Sequence, residues 1–403
     1  MVALVIALLV LLAGCTAGAA PARGPSAPAA DRSPTAPASA PTRSPATPAP
    51  EETSQRVVFG DPWSKDHRRV HAVTESALKI IDAAGRGQVI TLSMFNITYP
   101  TVADTLTRAH RRGVDVRVLV NSEGVRAKPF RTLKRALGTD QGSRSWAAVR
   151  RGGPRMHAKF LLVAGGDRAP VVWVSSGNLT VASGRDQANE ALITTGDRAL
   201  YAFLLAQFTL MRTGVTDPAL LARTAVTATA TVRTFPLAAG GPEHDPVLTL
   251  LDDVSCHHDG RRSIVRLAHL FLTRERRYLA DRLRQLAADG CDVRLIGHLK
   301  NWNADVRRAL VAPGPGRIDL RSAQGTALHT KITTVDGWNA AGERIRVGMV
   351  GTHNLTGRAL SVAADGVNDE VSLTVAEPAT LAAYDHWVDQ LIRRHSRSAG
   401  PAG

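Results

Sequence analysis

Apolar residues recur along this chain in strand-like and helix-like rhythms, and the same series of rhythms runs twice. Arg56 to Phe59 and Thr231 to Phe235 read as short strands, each followed by a loop rich in Gly and Pro. Apolar residues at helical spacing then predict helices around Val70 to Ala84 and Pro246 to Val254. The apolar runs Gln88 to Leu92 and Ser263 to Leu267 predict core strands. Helices follow over Thr101 to Arg112 and Glu275 to Asp289, and each ends in a glycine, Gly113 or Gly290, as a helix C-cap favours. Strands at Val114 to Val120 and Cys291 to Ile296 come next. Each series closes with an apolar strand, Ala191 to Ile193 or Val371 to Leu373, and a helix near Ala199 to Met211 or Ala379 to Arg393. This alternation predicts an α/β fold with at least partly parallel strands.

The repeat reaches polar positions, where chance similarity is harder to maintain. His157-Ala158-Lys159 answers His329-Thr330-Lys331. Ser175 to Thr180 answers Gly351 to Thr356, which pairs Ser176 with Thr352 and Asn178 with Asn354. Glu190 answers Glu370. Two copies with the same polar residues in the same order predict a pseudo-twofold molecule with one shared active site between its halves.

The start of the chain is different. Met1 to Leu12 is nearly unbroken apolar sequence, too short to span a bilayer comfortably, and residues 1–15 read as a signal peptide. No Lys or Arg precedes the run, a departure from the usual signal pattern. Leu12-Ala13-Gly14-Cys15 resembles a bacterial lipobox, which implies lipidation at Cys15. Residues 16–55 are mostly Ala, Pro, Ser and Thr, a composition that cannot bury a core and predicts an extended tether. This leaves a first half over 56–225 and a second over 226–396. The predicted location is outside the cytoplasm, as a cell-surface lipoprotein held by a lipid anchor or as a secreted protein.

Composition adds little beyond that. The net charge of +15 favours anionic partners such as phospholipid head groups, nucleic acid or wall polymers, without choosing among them. Cys256 and Cys291 are open to two readings, a disulfide suited to an exported protein or two buried thiols. His257 and His258 have no second ligand pair to complete a zinc site.

The paired motifs resemble the phospholipase D superfamily, whose mark is His-x-Lys, an Asp five residues later, and a Gly/Ser-x-Asn segment. The second copy fits with His329, Lys331, Asp336, Gly351, Thr352 and Asn354. The first has His157, Lys159, Ser176 and Asn178, but Ala164 stands where the Asp belongs; Asp167 either substitutes for it or is a turn residue. The resemblance runs from about Arg56 to Arg394. It implies a bilobal α/β/α sandwich with mixed sheets.

The resemblance also implies phosphodiester cleavage, and the chemistry suits these residues. A neutral imidazole can attack phosphorus to form phospho-histidine, while a protonated one gives its proton to the leaving oxygen. Lys159, Lys331, Asn178 and Asn354 would hold the phosphoryl oxygens, so no metal or other cofactor is expected. The family's usual order makes His157 the nucleophile and His329 the acid and base. Glu190 and Glu370 match the family's downstream Glu, which fixes the catalytic His. His353, between Thr352 and Asn354, should point away.

For substrate, an exported enzyme on a membrane tether meets phospholipid. A metal-independent nuclease is the alternative, because Arg126 to Arg155 is rich in Arg and Lys and leads into His157. That segment reads equally as a solvated amphipathic helix and turn. A degenerate binding protein is a third reading, opposed by two intact motifs. Phe95, Tyr99 and Phe271 follow the second strand of each half and either line the cleft or pack in the core. The repeat removes the need for a dimer, so a monomer is expected.

Overall fold

The computed structural model describes residues 52–325, 328–361 and 366–399. The signal-like segment, Cys15 and the tether up to residue 51 lie outside the described residues. The described residues fall in one compact unit.

The first half runs β1 (Ser54–Gly60), α1 (Ala72–Ala83), β2 (Val89–Met94), α2 (Pro100–Arg111), β3 (Asp115–Val120), α3 (Lys128–Leu137), β4 (Trp146–Val149), β5 (Phe160–Gly165), β6 (Arg168–Ser175), β7 (Asn189–Thr195) and α4 (Arg198–Arg212). The second repeats the series as β8 (Thr231–Phe235), α5 (Pro246–Asp252), β9 (Ile264–His269), α6 (Arg277–Ala288), β10 (Asp292–Gly297), α7 (Ala304–Val311), β11 (Ile318–Ala323), β12 (Lys331–Trp338), β13 (Arg344–Gly351), β14 (Asn368–Val375) and α8 (Pro378–Arg394). Each element foreseen from the apolar pattern is present, with ends shifted by a few residues, as frayed boundaries are.

Both sheets are mixed. The first has the order β1-β7-β6-β5-β2-β3-β4, with only β2, β3 and β4 parallel. The second keeps that order as β8-β14-β13-β12-β9-β10-β11 and adds the short edge strands Thr224–Val226 and Ser396–Ser398. Parallel neighbours need helical crossovers, and α2 and α6 supply the first of these in each half.

Three apolar clusters fill the fold. Val73 of α1, Leu106 of α2 and Leu133 of α3 pack on the outer face of the first sheet. Val247, Leu283 and Val306 do the same on the second. The third cluster belongs to both halves and joins Leu204 and Phe208 of α4 to Tyr384 and Leu391 of α8, between the inner faces of the sheets. Each sheet is thus sandwiched between outer helices and a long inner helix. Cys256 and Cys291 are joined by a disulfide, which pins the segment after α5 to the start of β10.

One feature positions the site. A short strand, Arg155–Met156, leaves the first half and pairs in parallel with β14 of the second, Arg155 with Asn368 and Met156 with Asp369. Reciprocally, Leu328 bridges in parallel to Ala188 of the first half. Each His-x-Lys motif therefore enters alongside the closing strand of the other half.

Candidate active site

His157 directly follows the crossing strand, and its N–H donates to the Asp369 carbonyl at 3.0 Å. That contact fixes the backbone so that the ring meets the next residue of β14. Nδ1 lies 2.9 Å from Glu370 Oε2 and 2.8 Å from Oε1. The same carboxylate accepts from Thr352 Oγ1 at 2.6 Å and from Asn368 Nδ2 at 2.9 Å. Burial would raise Glu370, but His157, Lys159 and Thr352 bring it down to about 2. Burial holds His157 down at about 4 against the pull of Glu370. The pair is therefore a carboxylate and a neutral imidazole whose Nδ1–H donates to it. That leaves Nε2 with a free lone pair.

His329 is held differently. Its N–H donates to Ala188 O at 3.0 Å, and its Nδ1 lies 2.8 Å from Asn189 Oδ1. Asn189 Nδ2 donates to Ser183 O at 2.9 Å, so its oxygen faces His329 Nδ1, which Lys331 Nζ also approaches at 3.0 Å. The expected pairing of a Glu with each His is thus met at His157 and not at His329. The reason is register. Ala188 lies two residues before Glu190, whereas Asp369 lies one before Glu370, so the His329 ring falls against Asn189. Glu190 instead accepts the backbone N–H of Lys331 at 3.1 Å. Burial raises the Glu190 carboxyl to about 7 against the pull of Lys331.

Lys159 precedes β5, and Lys331 opens β12. Both side chains are fully buried. Each amino group donates to its own motif's His carbonyl, at 2.5 Å in both copies, leaving further N–H groups for a ligand. Burial pushes Lys159 well below the ordinary lysine range and Lys331 down to about 8. Lys331 also depresses His157, and Lys159 depresses His329, so the two motifs share one field. Burial and Lys331 together hold His329 well below the ordinary histidine value.

Asn178 and Asn354 follow β6 and β13. The Oδ1 of each is buried without a hydrogen-bond partner among the described residues. Ser176 Oγ accepts from the Glu190 N–H at 3.0 Å, matching Thr352 Oγ1, which accepts from Val371 N–H at 2.9 Å.

Other residues lie apart. Asp336 sits toward the far end of β12, opposite Ile264, and pairs with Arg344. Asp167 is exposed in the turn between β5 and β6 and does not take the matching place. His353 is buried and stacked on Phe235, with ring centroids 5.6 Å apart. The Arg126 to Arg155 segment is not one basic rim. Arg150 is buried and pairs with Asp369 at 2.9 Å. Arg155 pairs with Glu123 at 2.7 Å and lies over the Phe95 ring. Within the segment, α3 buries Phe130, Leu133 and Leu137 and exposes its opposite face, as an amphipathic helix does. Phe95 is close to the site, 5.4 Å from the His157 ring between centroids, whereas Tyr99 packs on the first-half core.

Sequence reasoning missed Asn189, Asn368 and the buried Arg150–Asp369 pair. The signal was the polar openings of β7 and β14, Asn189-Glu190 and Asn368-Asp369-Glu370. Among the described residues no cluster of His, Cys, Asp and Glu could hold a metal ion, and no helix is long and apolar enough to cross a membrane.

Two interlocked His-x-Lys motifs on duplicated mixed sheets define the phospholipase D superfamily, whose members act on phosphodiester bonds. The chain belongs to the family described as cardiolipin synthase, PLD-like domain, whose model matches residues 78–212 and 261–392. Among solved structures, phosphatidylserine synthase of Haemophilus influenzae Rd KW20 is similar, at 13% identity and a TM-score of 0.56, over 85% of this chain and 87% of that one. Polyphosphate kinase of Porphyromonas gingivalis is similar at 13% identity and a TM-score of 0.57, over 86% of this chain but 53% of that larger protein. No curated protein sequence matches significantly.

Proposed function

We propose that the protein cleaves the phosphodiester of phospholipid head groups through a phospho-histidine intermediate, with His157 as nucleophile. The observation that carries this is the His157–Glu370 contact, which commits Nδ1–H and aims the reactivity at Nε2. Nε2 attacks phosphorus, and the bond to the leaving oxygen breaks as His329 gives that oxygen a proton. His329 then takes a proton from water, which attacks phosphorus and breaks the P–N bond. Lys159, Lys331, Asn178 and Asn354 hold the non-bridging oxygens throughout. An anionic substrate raises the affinity of both imidazoles for protons, which loads His329 for its acid role. An alcohol in place of water would give transfer instead of hydrolysis, in keeping with the synthase in the family's description. The chain's signal-like start and Cys15 support a lipid-anchored protein outside the cytoplasm, where phospholipid is at hand.

The test is choline release from phosphatidylcholine beside nicking of plasmid DNA, with EDTA present and His157→Ala as control. Lipid cleavage that the variant loses is the expected result. DNA nicking alone would move the function to nuclease.

A further inference from the structure

The internal repeat lets each half be read against the other. Thr91 of β2 pairs with Arg117 of β3 and Leu162 of β5, and Arg266 of β9 pairs with Arg294 of β10 and Thr334 of β12. These are equivalent positions. On the closing helices, Leu205 and Thr209 follow the N-cap Asp197 at the same spacing as Asp385 and Asp389 follow the N-cap Glu377.

In the second half, the space between sheet and helix is closed from within. Arg266 reaches Asp389 at 3.1 Å and Asp385 at 3.3 Å, and Arg294 reaches Asp389 at 3.0 Å. Thr334 Oγ1 donates to Asp385 at 2.6 Å. Two carboxylates sit between two guanidinium groups and a hydroxyl.

In the first half the carboxylates are gone and two cations remain. A cleft of about 250 Å³ is lined by Thr91, Arg117, Gln141, Leu205, Thr209 and Arg212. Arg117 is the counterpart of Arg294, and Arg212 enters from the next turn of α4. Neither makes an ion pair among the described residues; Arg117 Nε reaches only the Arg144 carbonyl, at 3.4 Å. Thr91 is fully buried, and its Oγ1 has no hydrogen-bond partner. Buried polar groups are ordinarily satisfied, and guanidinium forks are suited to oxyanions.

We infer that this cleft is a second anion site, separate from the catalytic one, which binds a small phosphate-class oxyanion where the second half holds Asp385 and Asp389. Its size admits inorganic phosphate or a small phosphomonoester and is too small for a diacyl lipid. None of its lining residues belongs to the His-x-Lys site.

The test is calorimetric titration of the full chain with inorganic phosphate, in the wild type, Arg212→Gln and Thr209→Asp. Thr209→Asp restores a carboxylate like that of Asp389. The wild type should bind two phosphates, one between Lys159 and Lys331 and one in the cleft. Both variants should keep the first and weaken the second by roughly tenfold or more. Arg117→Gln serves as a further variant should either of these fail to fold by circular dichroism. Titration with glycerol 3-phosphate identifies the source. Tighter binding than phosphate points to an organic phosphate, and equal or weaker binding to the free anion. One phosphate in the wild type, or unchanged binding in the folded variants, would overturn the assignment.

Discussion

His157 and Glu370 lie 213 residues apart and in opposite halves of the repeat, yet Nδ1 of one is 2.9 Å from Oε2 of the other. Glu370→Gln keeps the shape and removes the negative charge that fixes the imidazole. The expected result is a fall in kcat of about 10²- to 10⁴-fold with KM little changed, by analogy with the orienting carboxylate of other catalytic histidines. Equal turnover by the variant would show that the contact is structural.

The two histidines should fail differently. His157→Ala removes the nucleophile and should give no phosphoenzyme. His329→Ala removes the base for the second step. With a p-nitrophenyl phosphodiester, whose leaving group needs no proton, it should accumulate acid-labile phospho-histidine. Trapping the phosphoryl group in His157→Ala would reverse the two roles.

Acid should destabilise the fold. Burial holds His157, His269, His329 and His353 below the ordinary histidine value. Below about 6.5 the unfolded chain takes up protons that the folded one refuses, so stability falls as pH drops from there toward 4. Glu190, raised to about 7, works the other way: its contribution is present at low pH and is lost as pH rises through 7. Asp369, raised by burial to about 6, opposes in the same way. Four buried histidines against these two buried carboxyls predict a Tm that declines between pH 6.5 and 4.5, measurable by calorimetry. A Tm that rises over that range would contradict this.

Arg150 and Asp369 form a buried pair, each side chain 1% exposed. Arg150→Met strands the carboxylate, at a cost of about 3–5 kcal/mol. Arg150→Met with Asp369→Leu should recover much of that loss in denaturant unfolding. If the single variant is as stable as the wild type, the pair carries no such coupling.

The Cys256–Cys291 disulfide closes a loop of 35 residues. Its removal by Cys256→Ser with Cys291→Ser should lower stability by about 3–4 kcal/mol on chain-entropy grounds. Reductant should have no effect on that variant, and a Tm shift there would point to another cause.

Much of this was legible in the residues. The doubled His-x-Lys motifs named side chains that share one field, because polar identities repeated in order survive small shifts of register. The apolar rhythm placed the strands and helices, since each element buries one face. What could not be read was which closing strand each motif would meet. Glu190 and Glu370 look equivalent on paper, and a one-residue difference in backbone pairing gives one of them a histidine and the other a backbone N–H. Arg150 was misleading for a related reason. In sequence it is one of many basic residues, and only Asp369, brought in from the other half, makes it a core residue.

The crossing of Arg155–Met156 onto β14 also sets an order of events during synthesis. When the first half has left the ribosome, the place that receives His157 does not yet exist, because Asn368, Asp369 and Glu370 are still to be translated. The first-half motif waits without its sheet neighbour or its carboxylate until nearly all of the second half has emerged. The candidate site is therefore among the last parts of the molecule to be completed, and a chain interrupted anywhere before β14 carries both His-x-Lys motifs at most, never the assembled pair.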